Sequence, residues 1–364
     1  MNQRRIAIIA VTKRGVISGR RLNIALDNSM LFIPQHFKGD SYRERENNTT
    51  FFSLPLRDIV KEIFNRYDGI VFFLSIGAVI RLIAKEIRDK YTDPAIVVVD
   101  ENTDYVISIL SGHIGGANKL ARDAASILNA KPVITTASDL KKTISIDILG
   151  KEFGWVIENK ENIKRVSSSL VNEEVVGIFQ DAGEKNWWRR GISLPENIRI
   201  CNSVDAIKID DIVSGIIITD KIIKEREIFA KSVIYRPKSL VVGIGCKRAV
   251  LVSDIEKVIS ASFKKHDISI LSIRNIATID IKDNEEAIEL FVKKYNIFCK
   301  FFNREELNMV KGIKNPSERV LSLIGTGSVC EAAALLSSDA EDLLIPKVKT
   351  NNVTIAAARI SSHI

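Results

Sequence analysis

Four histidines occur in the 364 residues, and one of them stands where chemistry is easiest to arrange. His113 lies within Ser111-Gly112-His113-Ile114-Gly115-Gly116-Ala117-Asn118, directly after the β-branched run Tyr105–Leu110. An imidazole at the end of a strand changes charge near neutral pH and can act as a general base. It can equally cap the next helix or bond the loop backbone, and the residues alone leave both readings open. Asp100 and Glu101 close the preceding apolar run Ala95–Val99. A carboxylate there could orient the imidazole or activate water, although acids at a turn also serve simply as solvated turn residues.

Three other loops share that design of apolar run, glycine-containing turn and helical pattern: Ser75–Gly77, Gly243–Arg248 and Gly325–Glu331. Glycine lets a backbone approach a ligand, and helix N-termini offer unpaired N–H groups to anions. In an open α/β sheet such loops collect at the carboxyl ends of strands, where ligands bind. Gly-X-Gly occurs at Gly243–Gly245 and Gly325–Gly327, but neither extends to Gly-X-Gly-X-X-Gly. Asp267 precedes the next strand pattern instead of ending it, so a dinucleotide fingerprint is not met. No Walker lysine follows any glycine loop either.

Cys246, beside Lys247 and Arg248, is a thiol at a turn next to cations, a setting that lowers a thiol pKa. A small residue packing the turn explains it equally well, and no second histidine is placed to pair with it. Lys247, Arg248, Lys347 and Lys349 could clamp carboxylates or form an ordinary basic surface. Glu331 opens a helical pattern, where a carboxylate also meets the helix dipole favourably.

Strands and helices must hold these loops. Ile6–Val11 reads as a buried strand, followed by a turn and a helix from near Ser18. Leu56–Tyr67 reads as an amphipathic helix, Gly69–Leu74 as a strand, and a helix opens at Ser75 and runs to about Lys90. Pro132–Thr136 supplies a further strand after an alanine-rich helix ending at Leu128. The stretch from about Leu149 to Arg236 is weaker in pattern. From Ser239 the α/β rhythm restarts, with strands expected at Leu240–Gly243, Ile268–Ile273, Ala277–Ile281, Arg319–Ile324, Leu343–Pro346 and Val353–Ala358. Helices are expected at Ser253–His266, with Ser253 as N-cap, at Glu285–Tyr295 and at Ala332–Leu336. The expected architecture is α/β: two α/β domains with open, mixed or mostly parallel sheets, spanning residues 1–148 and 238–364. A smaller middle α/β region, 149–237, joins them.

Composition narrows the function classes. The net charge of +8 and 27% charged residues, with a pI near 9.2, favour anionic partners. The basic clusters are short and mixed with acids (Arg4-Arg5, Arg20-Arg21, Lys141-Lys142, Arg189-Arg190, Lys264-Lys265), and no stacking-aromatic motif accompanies them, so nucleic acid is not the expected partner. Four cysteines, far apart and without a CxxC pair, argue against a zinc site or disulfide framework and suit a reducing cytosol. The apolar run after Arg5 is too short for a signal peptide. Gly69–Ala84 contains Arg81 and is too short to span a bilayer. A cytoplasmic protein without membrane contact is expected.

The motifs together resemble the CbiG family of cobalamin biosynthesis, the cobalt-precorrin-5A hydrolases. The N-terminal likeness runs through Gly77-Ala-Val-Ile-Arg81, Asp93-Pro94-Ala-Ile-Val-Val-Val-Asp100-Glu101, the specific Ser111–Asn118 segment and Pro132–Asp139. Near the C-terminus it is carried by Val242–Arg248, Ile279-Asp280, Val329–Glu331, Leu344–Lys349 and Asn352-Val-Thr-Ile-Ala. The middle region carries little of it, and Lys247 stands where an arginine is common.

That resemblance implies hydrolysis of a δ-lactone on cobalt-precorrin-5A, with loss of acetaldehyde to give cobalt-precorrin-5B. It also implies an anionic cobalt-tetrapyrrole as partner, transient contact with neighbouring pathway enzymes, and no cofactor or protein metal site, because cobalt arrives inside the substrate. The roles that would follow are His113 as base, oriented by Asp100 or Glu101, with the amides of Gly112, Gly115 and Gly116 as oxyanion donors. Ser111, Asn118, Gly245, Cys246 and Glu331 would line the substrate, and Lys247, Arg248, Lys347 and Lys349 would hold its carboxylates. A non-catalytic carrier of tetrapyrrole intermediates is the alternative that uses the same loops.

Overall fold

The computed structural model describes the chain except residues 1–3, 39–47, 54, 90, 137–142, 189–192 and 362–364, and the side chains at 319 and 323. The expectations for Lys141-Lys142, Arg189-Arg190 and Asp139 fall outside the described residues. Two compact units emerge, Met1–Ile148 and Leu149–Ile364. The sheets are mixed and mostly parallel, with helices between the strands, as an α/β chain requires.

The first unit is one seven-stranded sheet. Its strands are β1 (Ile6–Ala10), β2 (Ser29–Pro34), β3 (Thr49–Phe52), β4 (Gly69–Phe73), β5 (Ala95–Val99), β6 (Tyr105–Leu110) and β7 (Lys131–Val133), in the order β3-β2-β1-β4-β5-β6-β7. β1 and β4 are fully buried and uniformly apolar because helices cover both faces. Ile6, Ile8 and Ala10 pack with Leu120, Ala121 and Ala124 of the helix Ala117–Leu128. Ala7 and Ile9 pack on the other face with Val60 and Ile63 of the helix Leu56–Phe64 and Val79 of the helix Ile76–Ile83. The alternation follows from the period of two along a strand.

The first helix begins at Lys13, earlier than the glycines suggest, and Thr12 caps it by accepting from the Gly15 amide. Gly15 and Gly19 lie inside this helix because it runs close to the sheet. A Cβ on Gly15 would meet Phe73 Cβ at 3.0 Å, and one on Gly19 would meet Leu31 Cδ1 at 3.1 Å. The helix opened by Ser75 ends at Ile83, short of Lys90. Beyond it, the Asp93 carboxylate receives the Arg88 amide and turns the chain toward β5.

One reversal decides where the site can be. The five strands from β3 to β5 are mutually parallel, but β6 pairs antiparallel with β5, Ile96 opposite Leu110 and Val99 opposite Val106. The segment Ser111–Gly116 therefore leaves the sheet at the edge where β1, β4 and β5 begin.

The second unit holds two five-stranded sheets. The first orders its strands β10-β9-β11-β12-β8, where β8 is Val156–Ile157, β9 Val176–Gln180, β10 Ile198–Cys201, β11 Ser214–Ile218 and β12 Ser232–Arg236; all pair in parallel except β8. The second orders them β15-β14-β13-β17-β16, where β13 is Leu240–Cys246, β14 Ile273–Ile279, β15 Phe298–Phe302, β16 Ile345–Lys349 and β17 Val353–Arg359. β13, β14 and β15 are parallel, and β17 runs against both β13 and β16. The buried Asp220 ties the two sheets together, accepting from Arg359 Nε and Nη2 at 2.8 Å each and from Ser239 Oγ at 3.0 Å.

Several expected elements shift here. Arg319–Ile324, read as a strand, lies in the helix Glu318–Ile324, closed by Gly325 at φ 80°. Ile270–Ser272 is a 3₁₀ turn, and the strand starts only at Ile273. The next helix starts at Val252 with Leu251 in the N-cap position, so Ser253 is inside it. Gly243 and Gly245 are strand residues, not loop. A Cβ on Gly243 would lie 1.8 Å from the Cys330 carbonyl oxygen, so glycine there lets the helix Val329–Ser338 lie against β13.

Candidate active site

The loop between β6 and the helix Ala117–Leu128 is built from unusual backbone. Ser111 takes a left-handed conformation at φ 57°, and Gly116 follows at φ 84°. The turn closes through the Ala117 amide to Ser111 O at 3.1 Å and the Asn118 amide to Gly112 O at 2.9 Å. A Cβ on Gly115 would fall 2.3 Å from Ser111 Cβ, so the two residues are in direct apposition. The Ser111 hydroxyl is buried in this fold and meets no hydrogen-bond partner among the described residues. An unpartnered buried hydroxyl in a strained residue marks a position held for something other than stability.

His113 is largely enclosed, with 14% of its side chain exposed, and its Nδ1 lies 3.5 Å from Asp147 Oδ1. Asp147 follows the buried residues Ile144 and Ile146, which fix its backbone. Asp147 was not visible as a partner in the sequence, being 34 positions away in a stretch without helical or strand periodicity; its one signal is an isolated acid between apolar residues.

Asp100 and Glu101 do not serve His113. They lie at the β5–β6 turn, one full strand from Ser111, about 20 Å at the usual rise per residue. Asp100 accepts the Tyr105 and Asn102 amides of its own turn, and Glu101 accepts from Thr12 Oγ1 at 3.1 Å. Reading both loops as carboxyl-end loops of one parallel sheet placed them together; the reversal at β6 separates them.

The expected donors divide. The Gly116 amide already donates to His113 O at 3.1 Å, so it is not available to a ligand. The amides of Gly112 and Gly115 donate to none of the described residues. Asn118 is 4% exposed and acts as a keystone: it accepts from Ser108 Oγ at 2.7 Å and donates to Thr136 Oγ1 at 3.0 Å. On the outer side Arg4 Nη1 donates to Gly115 O at 2.8 Å.

In the second unit the expected basic group is gathered at one edge. Cys246-Lys247-Arg248 leave β13 where Lys349 leaves β16, and Lys247 binds Asn352 through its amide at 3.0 Å and its ammonium at 3.3 Å. Arg248 and Lys349 are exposed there. Lys347 is held back, its Nζ on Asn315 O at 3.1 Å. Gly245 is locked in β13, where Thr354 Oγ1 donates to its carbonyl at 3.0 Å. Glu331 is fully buried and accepts four bonds from the fold, so it does not line a substrate. Burial pushes the Cys246 thiol above its ordinary value, against a pull from Lys282; the neighbouring cations do not produce a thiolate. Among the described residues no cluster of three or more histidine, cysteine, aspartate or glutamate side chains could hold a metal ion, and no helix is long and apolar enough to cross a membrane.

Comparison with known proteins gives concordant matches. Residues 58–139 match the family model described as cobalamin synthesis G N-terminal, 144–237 the cobalamin biosynthesis central region, and 240–358 cobalamin synthesis G C-terminus. A cobalt-precorrin-5A hydrolase of Priestia megaterium is 40% identical over 97% of this chain and 94% of its own. The cobalt-precorrin-5A hydrolase of Salmonella typhimurium strain LT2 is 28% identical over 96% of each. A solved structure of a cobalamin biosynthesis protein G homolog from Sulfolobus solfataricus aligns over 99% of this chain and 98% of its own, at 25% identity and a TM-score of 0.38.

Proposed function

The chain belongs to the cobalamin synthesis G family and works as a hydrolase of cobalamin biosynthesis, and we propose that it opens the lactone of cobalt-precorrin-5A at the loop Ser111–Gly116. The observation that carries this site is the enclosed imidazole: His113 Nδ1 lies 3.5 Å from Asp147 Oδ1, in a loop whose Gly112 and Gly115 amides donate to none of the described residues.

The chemistry divides into two proton-dependent steps. His113, held at Nδ1, takes a proton from water at Nε2 as the water oxygen bonds to the lactone carbonyl carbon. The oxyanion that forms is met by the Gly112 and Gly115 amides. The ring C–O bond then breaks, leaving a carboxylate on the macrocycle and a secondary alkoxide that regains the proton. Removal of that hydroxyl proton drives the second step: the carbon–carbon bond to the macrocycle breaks, acetaldehyde leaves, and the electron pair stays on the macrocycle and is protonated. Asp147 stabilises the imidazolium in both steps, as an orienting carboxylate does in the serine-protease triad.

Cobalt belongs to the substrate in this scheme, and the chain contributes no metal ligand. Its four unpaired thiols suit the cytoplasm.

The experiment is acetaldehyde release from the cobalt-precorrin lactone by wild-type protein and by His113→Gln, each against an enzyme-free control. Release by the wild type that falls sharply in His113→Gln supports the site. Full turnover by His113→Gln removes this loop as the catalytic centre, and tight binding without release by the wild type favours a carrier.

A further inference from the structure

The edge of the first sheet that carries the His113 loop also carries a large cleft, about 920 Å³ in volume. It is cut into the amino ends of β1, β4 and β5, and Gly115 forms part of its wall. That volume lies toward the upper end of the range for small-molecule sites. Four arginines line it: Arg4, Arg5, Arg66 and Arg88.

These guanidiniums are largely uncompensated. Arg66, just past the end of the helix Leu56–Phe64, pairs with Glu62. Among the described residues no carboxylate lies within ion-pair distance of Arg4, Arg5 or Arg88. Arg4 donates to the Gly115 carbonyl at 2.8 Å, and Arg88 Nη2 to Asn65 Oδ1 at 3.3 Å. The two acids in the wall are turned to the backbone: Asp68 accepts the Arg5 amide and Asp93 the Arg88 amide. Tyr67 completes the wall; burial pushes its hydroxyl upward in pKa, while Arg5 and Arg66 pull against that shift. Cations gathered in a concavity repel one another and raise the local concentration of anions. Nothing in the packing of β1 or β4 calls for them, because all four side chains are exposed.

We propose that this arginine-lined cleft binds the carboxylate side chains of the tetrapyrrole substrate, seating the macrocycle beside the His113 loop. The ligand class is a polycarboxylated macrocycle, for which planar guanidiniums are suited as bidentate partners. Arg4 has a double position, facing the cleft while fixing the carbonyl of Gly115, whose amide the proposed reaction uses. An occupant of the cleft thus touches the loop that does the chemistry. The assignment rests on the proposed hydrolase reading.

The test titrates full-length protein with cobalt uroporphyrin, an octacarboxylate, followed by absorbance, and compares wild type, Arg5→Gln/Arg88→Gln and Arg5→Lys/Arg88→Lys. Loss of two charge-assisted contacts at an open site is expected to weaken binding about tenfold or more in the glutamine variant, and added salt to weaken the wild type. The lysine variant regains part of the affinity. Equal affinity in wild type and glutamine variant, or no binding by the wild type, overturns the cleft. Acetaldehyde release is measured separately. Arginine-dependent binding without release leaves the cleft standing and removes the hydrolytic reading, whereas release with arginine-independent binding removes the cleft alone. Should the glutamine variant unfold, as an unfolding curve would show, the comparison of wild type with the lysine variant and its salt dependence decides.

Discussion

His113 Nδ1 and Asp147 Oδ1 stand 3.5 Å apart, and their side chains are only 14% and 16% exposed. The separation is longer than a well-formed hydrogen bond and shortens readily when the imidazole gains a proton, as catalytic contacts do in ligand-free enzymes. A carboxylate in that position fixes which ring nitrogen exchanges protons. His113→Gln is expected to lower kcat by about 10²–10⁴-fold, the usual worth of a general base. Asp147→Asn is expected to lower kcat by about tenfold or more with KM little changed, because the imidazole loses the carboxylate that orients it. Glu101→Gln, at the opposite edge of the sheet, leaves the profile of the wild type. Steady-state acetaldehyde release from pH 5.5 to 9 separates these cases, and an Asp147→Asn profile identical to wild type sinks the pairing.

Ser111 combines a left-handed backbone with a buried hydroxyl that has no partner. Both features oppose stability: the left-handed region costs a non-glycine residue about 1–2 kcal/mol, and an unsatisfied buried hydroxyl costs about 1–3 kcal/mol. Ser111→Ala removes the second cost only, and Ser111→Gly removes both but adds about 0.5–1 kcal/mol of chain entropy. Each variant is expected to unfold at the same or higher denaturant concentration than wild type while losing turnover, the pattern of a residue kept for function. A destabilised Ser111→Ala with undiminished kcat contradicts it.

The thiols carry a different expectation. Burial pushes Cys299 up to about 12, and raises Cys201, Cys246 and Cys330 above the ordinary 9.0. In the unfolded chain they ionise near 9, while in the folded chain they hold their protons to higher pH. Their contribution to stability is therefore complete below pH 9 and is lost as the pH rises from there toward the folded values. Urea unfolding is expected to show stability declining above pH 9, with part of that slope absent in Cys299→Ala. Cys246→Ala is expected to keep wild-type turnover at neutral pH, since a thiol with a raised pKa is a poor nucleophile.

The legibility of the sequence varied with what each residue had to satisfy. Uniformly apolar runs such as Ile6–Ala10 and Ala95–Val99 announced buried strands because burial on both faces leaves no other composition. The helix Ala117–Leu128 was equally plain from its small-residue face. Gly15 and Gly245 misled because glycine signals a turn locally, whereas here it answers a close approach across the sequence. The direction of β6 was legible, since the five residues between Val99 and Tyr105 are too few for a parallel crossover, but reading each loop by itself missed which sheet edge it occupies. That one bit of topology moved Asp100 and Glu101 away from His113 and brought Arg4, Arg5 and Arg88 toward it. Asp147 reaches the site through tertiary packing alone, and no local pattern encodes such a pairing.

Glu331 shows the same limit from the other side, because its helix-opening position suited a ligand contact and a structural one equally well. In the fold it is 0% exposed and accepts the amides of Lys314 at 3.1 Å, Asn315 at 2.9 Å and Lys347 at 3.2 Å, with Asn315 Nδ2 at 2.9 Å. It thereby joins the segment before the helix Glu318–Ile324 and the strand β16 to the helix Val329–Ser338. Removing it leaves several part-buried donors without their acceptor at once, at up to about 1–3 kcal/mol each where water does not replace it. Glu331→Ala is expected to lose about 3–5 kcal/mol of stability, within the range seen when a buried charged group's partners are orphaned. Glu331→Gln retains one acceptor but turns an NH₂ toward donors, so it falls between. At a temperature where Glu331→Gln is folded, its KM for the lactone is expected to stay within about twofold of wild type, far from the tenfold that a lost charge-assisted substrate contact gives. Denaturant unfolding and steady-state kinetics on the same preparations decide it: a variant of wild-type stability with a raised KM would return Glu331 to the substrate.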